Sequence, residues 1–144
     1  MTAWLAERTG SAARLADHSG LAGASRIAPE AMVRALVTLG PKAGLRGLLK
    51  EFAFRDEAGR KVRGGPVTVE AKTGTLNFVS TLAGYVRAPG GTDLAFAIFT
   101  GDVARRDSIP DSQKEDAPGV GAWVKRSKRL QQQLIERWAT VYGA

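Results

Sequence analysis

Residues 67–102 read VTVEAKTGTLNFVSTLAGYVRAPGGTDLAFAIFTGD, and this stretch decides the fold because β-prone runs follow one another in it. Apolar and polar residues alternate from Val67 to Lys72, and a period of two predicts a β-strand. Gly74 has no side chain to pack, so we expect it to interrupt this strand.

Two more strands are predicted after the first. Residues 78–87 (FVSTLAGYVR) form one apolar run and residues 94–100 (LAFAIFT) another, and the Pro- and Gly-containing residues 88–93 between them predict a hairpin turn. Because the last run is nearly all apolar, we expect that strand to be central in the sheet and covered on both faces.

Helices are predicted before this stretch. Residues 1–16 read as the end of one helix, and Pro29 suits the first turn of another, which Gly40-Pro41 ends. Residues 44–54 (GLRGLLKEFAF) predict a short helix or helical turn with Leu45, Leu48, Leu49 and Phe52 inward. The second helix has one apolar face at helical spacing: Ala31, Met32, Ala35, Leu36 and Leu39.

A long C-terminal helix is predicted over residues 119–142, with an apolar stripe that faces the core. Polar loops at residues 55–66 and 101–118 separate the elements. The layout predicts an α+β fold with N-terminal helices, three antiparallel strands and a C-terminal helix packed on the sheet. The predicted stripe consists of Trp123, Leu130, Leu134, Trp138 and Val141.

Length, cysteine content and charge limit the kinds of protein that this chain can be. The chain has 144 residues, enough for one domain with a core, and its lack of cysteine excludes disulfides and thiolate metal sites. Its net charge of +7 is compatible with binding to a polyanion, but no block of five like charges occurs, which favours cations spread over solvated faces. Residues 1–8 do not form a signal peptide, and no apolar run is long enough to span a membrane.

The segment Asp17-His18-Ser19-Gly20-Leu21 predicts a turn in which Asp17 and Ser19 bond nearby backbone N–H groups and Gly20 takes a positive φ. We reject a catalytic triad here because adjacent residues cannot place a serine hydroxyl on one nitrogen of a histidine and an aspartate on the other.

Lys72-Thr73-Gly74-Thr75 carries the candidate chemistry. A lysine at a strand end beside two threonines can hold a carboxylate, with Lys72 as a point charge and the Thr73 and Thr75 hydroxyls as short donors. Gly74 allows a ligand backbone to approach, and the Thr75 backbone N–H could face a developing oxyanion. The alternative interpretation is an ordinary exposed lysine in a Thr- and Gly-rich strand end.

The residues around this motif resemble the peptidase S13 D-alanyl-D-alanine carboxypeptidases, which are low-molecular-mass penicillin-binding proteins. The resemblance covers about residues 15–142 and includes Lys-Thr-Gly-Thr-Leu, the Ala-Gly-Tyr strand and the Phe-Thr-Gly-Asp ending, in the family's order. The turn at Asp17 matches the family's Asp-Gly-Ser-Gly-Leu except that His18 replaces a glycine.

This resemblance implies a role for each residue of the motif. Lys72 would set the electrostatics beside the nucleophile, Thr73, Gly74 and Thr75 would bind the substrate, with both threonines on the terminal carboxylate, and the Thr75 N–H would be half of the oxyanion hole. It also implies an extracytoplasmic enzyme that acts on peptidoglycan stem peptides, binds β-lactams and uses no metal or cofactor. No nucleic acid and no transmembrane segment are expected.

The nucleophile of that chemistry is absent from the sequence. No lysine has a serine three residues before it, so no Ser-x-x-Lys supplies the nucleophile and its general-base lysine. The only asparagine, Asn77, has Thr75 two residues earlier, which excludes Ser-x-Asn. We therefore expect residues 1–144 to be the C-terminal part of one carboxypeptidase domain, inactive alone, with the edge of its third strand left open.

Two other interpretations remain. The chain could be a basic, non-catalytic binding module that holds an anionic polymer through its strand edge and surface charge. It could also come from another serine acyl enzyme that has the same Lys-Thr-Gly strand along its active site, such as a β-lactamase. The Asp17 turn and the hairpin favour the carboxypeptidase.

Overall fold

A computed structural model describes residues 1–20, 22–56, 58–62 and 67–143. The α+β fold is confirmed, with four α-helices and two antiparallel sheets among these residues. The elements in chain order are α1 (Thr2–Thr9), β1 (Ala13–Arg14), β2 (Arg26–Ile27), α2 (Pro29–Thr38), a 3-10 turn (Leu45–Leu48), β3 (Lys50–Glu51), β4 (Thr68–Leu76), β5 (Val79–Arg87), β6 (Asp93–Gly101), α3 (Val103–Asp107), a second 3-10 turn (Asp111–Gln113) and α4 (Val120–Tyr142).

The larger sheet has the order β3-β4-β5-β6, so the three predicted strands are joined by a short fourth one. Of the two alternatives predicted for residues 44–54, the helical turn is found at Leu45–Leu48 and the longer helix is wrong. Leu48 is 78% exposed, and β3 leaves the 3-10 turn to pair with Glu70 and Ala71 of β4. The Phe52 N–H then donates to the Val69 carbonyl at 2.8 Å, so pairing with β4 satisfies this backbone group.

The predicted interruption of β4 at Gly74 is wrong. Gly74 pairs with Thr81 of β5 in a register without a bulge from Thr68 to Leu76. A Cβ at Gly74 would lie 2.5 Å from Thr81 Oγ1, so the missing side chain leaves room for the threonine of the neighbouring strand. The glycine thus supports close packing of the two strands.

The placement of β6 differs from the prediction in one respect. Among the described residues it is the edge strand, paired only with β5. Its two faces are nonetheless covered, one by α2 and the other by α4. The apolar composition of β6 therefore reflects burial of both faces and says nothing about its position in the sheet.

Helix α4 covers one face of the sheet, and the core lies between them. The predicted apolar stripe on α4 is wrong in part, because Leu130 and Val141 are exposed while the polar Ser127 and Gln131 are buried. The buried row of the helix is Ser127, Gln131, Ile135 and Ala139, and it packs with Val69, Leu82, Val86, Phe96 and Ile98.

The opposite face of the sheet packs against α2. The buried Tyr85 hydroxyl of β5 donates to the Leu36 carbonyl at 2.8 Å. The turn after β1 has the local bonds predicted for Asp17, which accepts the N–H groups of Gly20 at 3.1 Å and of Ala22 at 3.2 Å, and the φ of Gly20 is 75° as expected. The Ser19 hydroxyl donates to the Asp17 carboxylate. Leu21, the last residue of that predicted turn, lies outside the described residues.

Part of the predicted loop at residues 55–66 also lies outside the described residues, namely residues 57 and 63–66. The predicted loop at residues 101–118 contains α3, which begins with Asp102 accepting the Arg105 N–H, and the second 3-10 turn. Within the described ranges, every helix is either too short or too polar to cross a bilayer.

Candidate functional site

Residues 72–76 lie on the outer edge of β4, where the candidate motif is found. Strand β3 and the following Phe52 cover that edge only from Val69 to Ala71. Among the residues that the structure describes, no strand pairs with the same edge beyond Ala71. The backbone N–H groups that point outward from this segment are therefore available to a ligand.

The free groups belong to Thr73 and Thr75. Residues of an antiparallel strand point their N–H and C=O alternately to the two neighbouring strands. Val69 accepts from Phe52 on the β3 side, so the backbones of Ala71, Thr73 and Thr75 point the same way. The Thr73 and Thr75 N–H groups thus face outward, while Gly74 bonds inward to β5.

The side chains of the motif lie on two faces of the sheet. Val69 is buried against α4, and by alternation Thr73 and Thr75 project on that same side, where both are exposed. Lys72 projects on the other side, and its exposed ammonium donates back to the Thr73 carbonyl at 2.6 Å. Lys72 and the two threonines therefore border the strand edge from opposite faces of the sheet.

Thr75 also lines a cleft of about 460 Å³ beyond the end of β4. Its far wall comes from the segment after β6, held to the hairpin by Asn77, whose Nδ2 donates to the Lys114 carbonyl at 2.7 Å. Two cations line the cleft, and each is paired with an acid: Arg106 with Asp107 and Lys114 with Asp111. Its lining residues are Thr75, Leu76, Asn77, Arg106, Asp107, Ile109 and Lys114.

An ion-pair network lies on the same face as Lys72. Arg46 contacts Glu70 at 2.7 Å and Asp93 at 2.9 Å, and Arg87 contacts the other oxygen of Asp93 at 2.9 Å. Hydrogen bonds from Arg46, and then from Arg87, lower the pKa of the Asp93 carboxyl below its ordinary value. Burial raises the pKa of Tyr85, whose ring lies under Arg46. The network ties the 3-10 turn onto the sheet two residues from Lys72.

A buried hydrogen-bonded contact joins α4 to β5, the strand that pairs with the Thr75 end of β4. Ser80 lies opposite Thr75 in the ladder, and Gln131 of α4 donates to both its carbonyl and its hydroxyl. Sequence reasoning missed Gln131 and Arg46 because neither lies in a motif. The spacing offered one signal for Gln131: it lies four residues before Ile135, and therefore on the core-facing side of α4.

The part of the chain with assigned structure contains no group of three His, Asp or Glu residues placed to hold a metal ion.

A family model described as "D-Ala-D-Ala carboxypeptidase 3 (S13) family" matches residues 8–120. The match includes the Asp17 turn, Lys72-Thr73-Gly74-Thr75, the hairpin and β6, and it stops at the first residue of α4. No curated protein and no solved structure matches the chain.

Proposed function

We propose that this chain, which belongs to the D-Ala-D-Ala carboxypeptidase 3 (S13) family, binds the D-Ala-D-Ala end of a peptidoglycan stem peptide along the outer edge of β4. Family membership implies a carboxypeptidase-like function with peptidoglycan as the substrate, and an extracytoplasmic place of action. The observation that carries the finer proposal is the pair of outward N–H groups, at Thr73 and Thr75, beside the ammonium of Lys72.

The edge suits an extended peptide because such a peptide can pair with it as an added strand. Lys72 and the hydroxyls of Thr73 and Thr75 would hold the terminal carboxylate. The penultimate carbonyl would then lie against the Thr75 N–H, which donates to the oxygen that becomes negative when a serine attacks. Gln131 and Ser80 support the strand that holds Thr75 in place.

We propose that the attacking serine comes from polypeptide outside these 144 residues, because no Ser-x-x-Lys occurs within them. The outer edge of β6 is where further strands of the same domain would pair. Residues 1–144 therefore act as the C-terminal part of one carboxypeptidase domain and bind the peptide without cleaving it.

Binding is tested by titrating the isotope-labelled chain with a peptide that ends in D-Ala-D-Ala and recording the backbone amide signals. We expect the Thr73 and Thr75 signals to move with the free acid and not with the matched C-terminal amide, which lacks the charge. Lys72→Gln should weaken the effect, whereas Lys125→Gln on α4 should leave it unchanged. Equal responses to acid and amide would contradict the proposed carboxylate site.

The location of the nucleophile is tested with a labelled penicillin. The chain alone should form no covalent adduct, because an acyl-enzyme needs the serine. An adduct on this chain would show that the nucleophile lies within it and would overturn this part of the proposal.

A further inference from the structure

Positive charge is concentrated on α4. This helix of 23 residues holds five of the 21 cations and one of the 14 acids, so it carries +4 of the net +7. The segment before it, residues 102–116, has three cations and five acids and is net negative. A positively charged helix therefore directly follows a negatively charged segment, which the net charge of the whole chain does not reveal.

The cations form one surface, the basic face, which consists of Lys125, Arg126, Arg129 and Arg137. All four are exposed and lie away from the buried row of the helix. At a rise of about 1.5 Å per residue, the basic face extends over roughly 18 Å. A straight cationic strip of this length fits an extended anionic surface.

Most cations of the basic face are not paired with acidic side chains of the chain itself. In the described residues, Lys125, Arg126 and Arg137 make neither an ion pair nor a side-chain hydrogen bond. Glu136, the only acid of α4, instead accepts from Gln132 at 3.1 Å. By contrast, Arg34 of α2 is paired with Glu30 at 2.8 Å.

Exposed apolar residues border the basic face. Leu130 is 45% exposed and lies one turn after Arg126, and Val141 is 44% exposed and lies one turn after Arg137. Cations that bind headgroups beside apolar side chains that enter the acyl boundary suit an anionic bilayer. Contact with a hydrated polyanion such as DNA needs the cations alone.

We propose that the basic face docks on anionic lipid headgroups, with α4 parallel to the bilayer surface and Leu130 and Val141 at the interface. Helix α4 packs on one face of the sheet, whereas Lys72 projects from the other. A chain bound in this way keeps Lys72 turned away from the lipid, whereas the Thr73 and Thr75 side chains lie on the α4 side of the sheet.

The test measures partition of the full chain onto phosphatidylcholine vesicles with and without phosphatidylglycerol. We expect binding only with the anionic lipid. Arg126→Gln with Arg137→Gln should lower the partition coefficient about 25-fold, since each cation near the surface contributes about fivefold. Lys42→Gln with Lys50→Gln removes the same charge from exposed sites elsewhere and should have a much smaller effect.

A second arm separates lipid from other polyanions. Leu130→Ser keeps the charge and should weaken vesicle binding while leaving any retention on duplex DNA unchanged. The residues changed are all exposed, and circular dichroism checks that each variant folds. Equal losses for the two charge pairs, no preference for anionic vesicles, or unchanged vesicle binding by Leu130→Ser would each overturn the proposal.

Discussion

The side-chain amide of Gln131 donates to the Ser80 carbonyl and to the Ser80 hydroxyl, at 3.1 Å each. Gln131 is 2% exposed and Ser80 1%, so water does not compete for these bonds. Since Ser80 lies opposite Thr75, this contact joins α4 to the strand that supports the candidate site.

Gln131→Leu should lower the free energy of unfolding by about 1–3 kcal/mol, because the Ser80 hydroxyl loses its buried donor. Combined with Ser80→Ala, the loss should be smaller than the sum of the two single losses by about 0.5–1.5 kcal/mol. Urea unfolding measures all three variants. Gln133→Leu, at an exposed position of the same helix, is the control, and strictly additive losses would contradict the coupling.

Gly84→Ala should be strongly destabilising. A Cβ at Gly84 would lie 2.1 Å from the Glu70 carbonyl and 2.7 Å from Ala71 Cα, and backbone cannot move aside without shifting β4. Overpacking of this kind costs about 1–3 kcal/mol or more, measurable by thermal or urea unfolding. Gly121→Ala is the matched control because its Cβ would meet nothing within 4 Å. Equal stability of the two variants would refute this reason for the glycine.

Asp93 should contribute to acid unfolding. Arg46 and then Arg87 lower the pKa of this carboxyl below the ordinary value of 3.8. Its stabilisation is therefore complete above pH 3.8 and is lost as the pH falls through the lowered pKa. The difference in unfolding free energy between the natural chain and Asp93→Asn should shrink below pH 3.8. Asp116→Asn controls for the loss of one charge. A difference in unfolding free energy between the natural chain and Asp93→Asn that stays constant with pH would be evidence against the role of Asp93.

The outer edge of β6 should promote self-association. By the ladder alternation set by the Ala88–Thr92 bond, the N–H groups of Ala95, Ala97 and Phe99 point outward. Ala97→Pro removes one outward donor without breaking a bond to β5, so it should reduce the sedimentation of oligomers. Ala97→Ser keeps the N–H and should associate as the natural chain does; association unchanged by proline would exclude this edge as the contact.

Much of the fold was predictable from local pattern. The alternation in residues 67–72 and the apolar runs at 78–87 and 94–100 identified β4, β5 and β6. Pro29 and Gly40 correctly marked α2 between them, because the fixed φ of proline and the conformational freedom of glycine act within one turn of chain. Residues 44–54 were misread, since their leucines match a helical period that only tertiary contacts could reject.

For the candidate site, too, some features follow from the sequence and others only from the tertiary structure. The sequence alone determined the order of Lys72, Thr73, Gly74 and Thr75 and the absence of a serine three residues before any lysine, because both are statements about spacing. Only the tertiary structure decided that the pairing of β3 with β4 does not continue past Ala71, so that Thr73 and Thr75 have free N–H groups. It also decided that Gln131 lies behind them. Strand pairing and burial depend on residues distant in sequence, which no local pattern specifies.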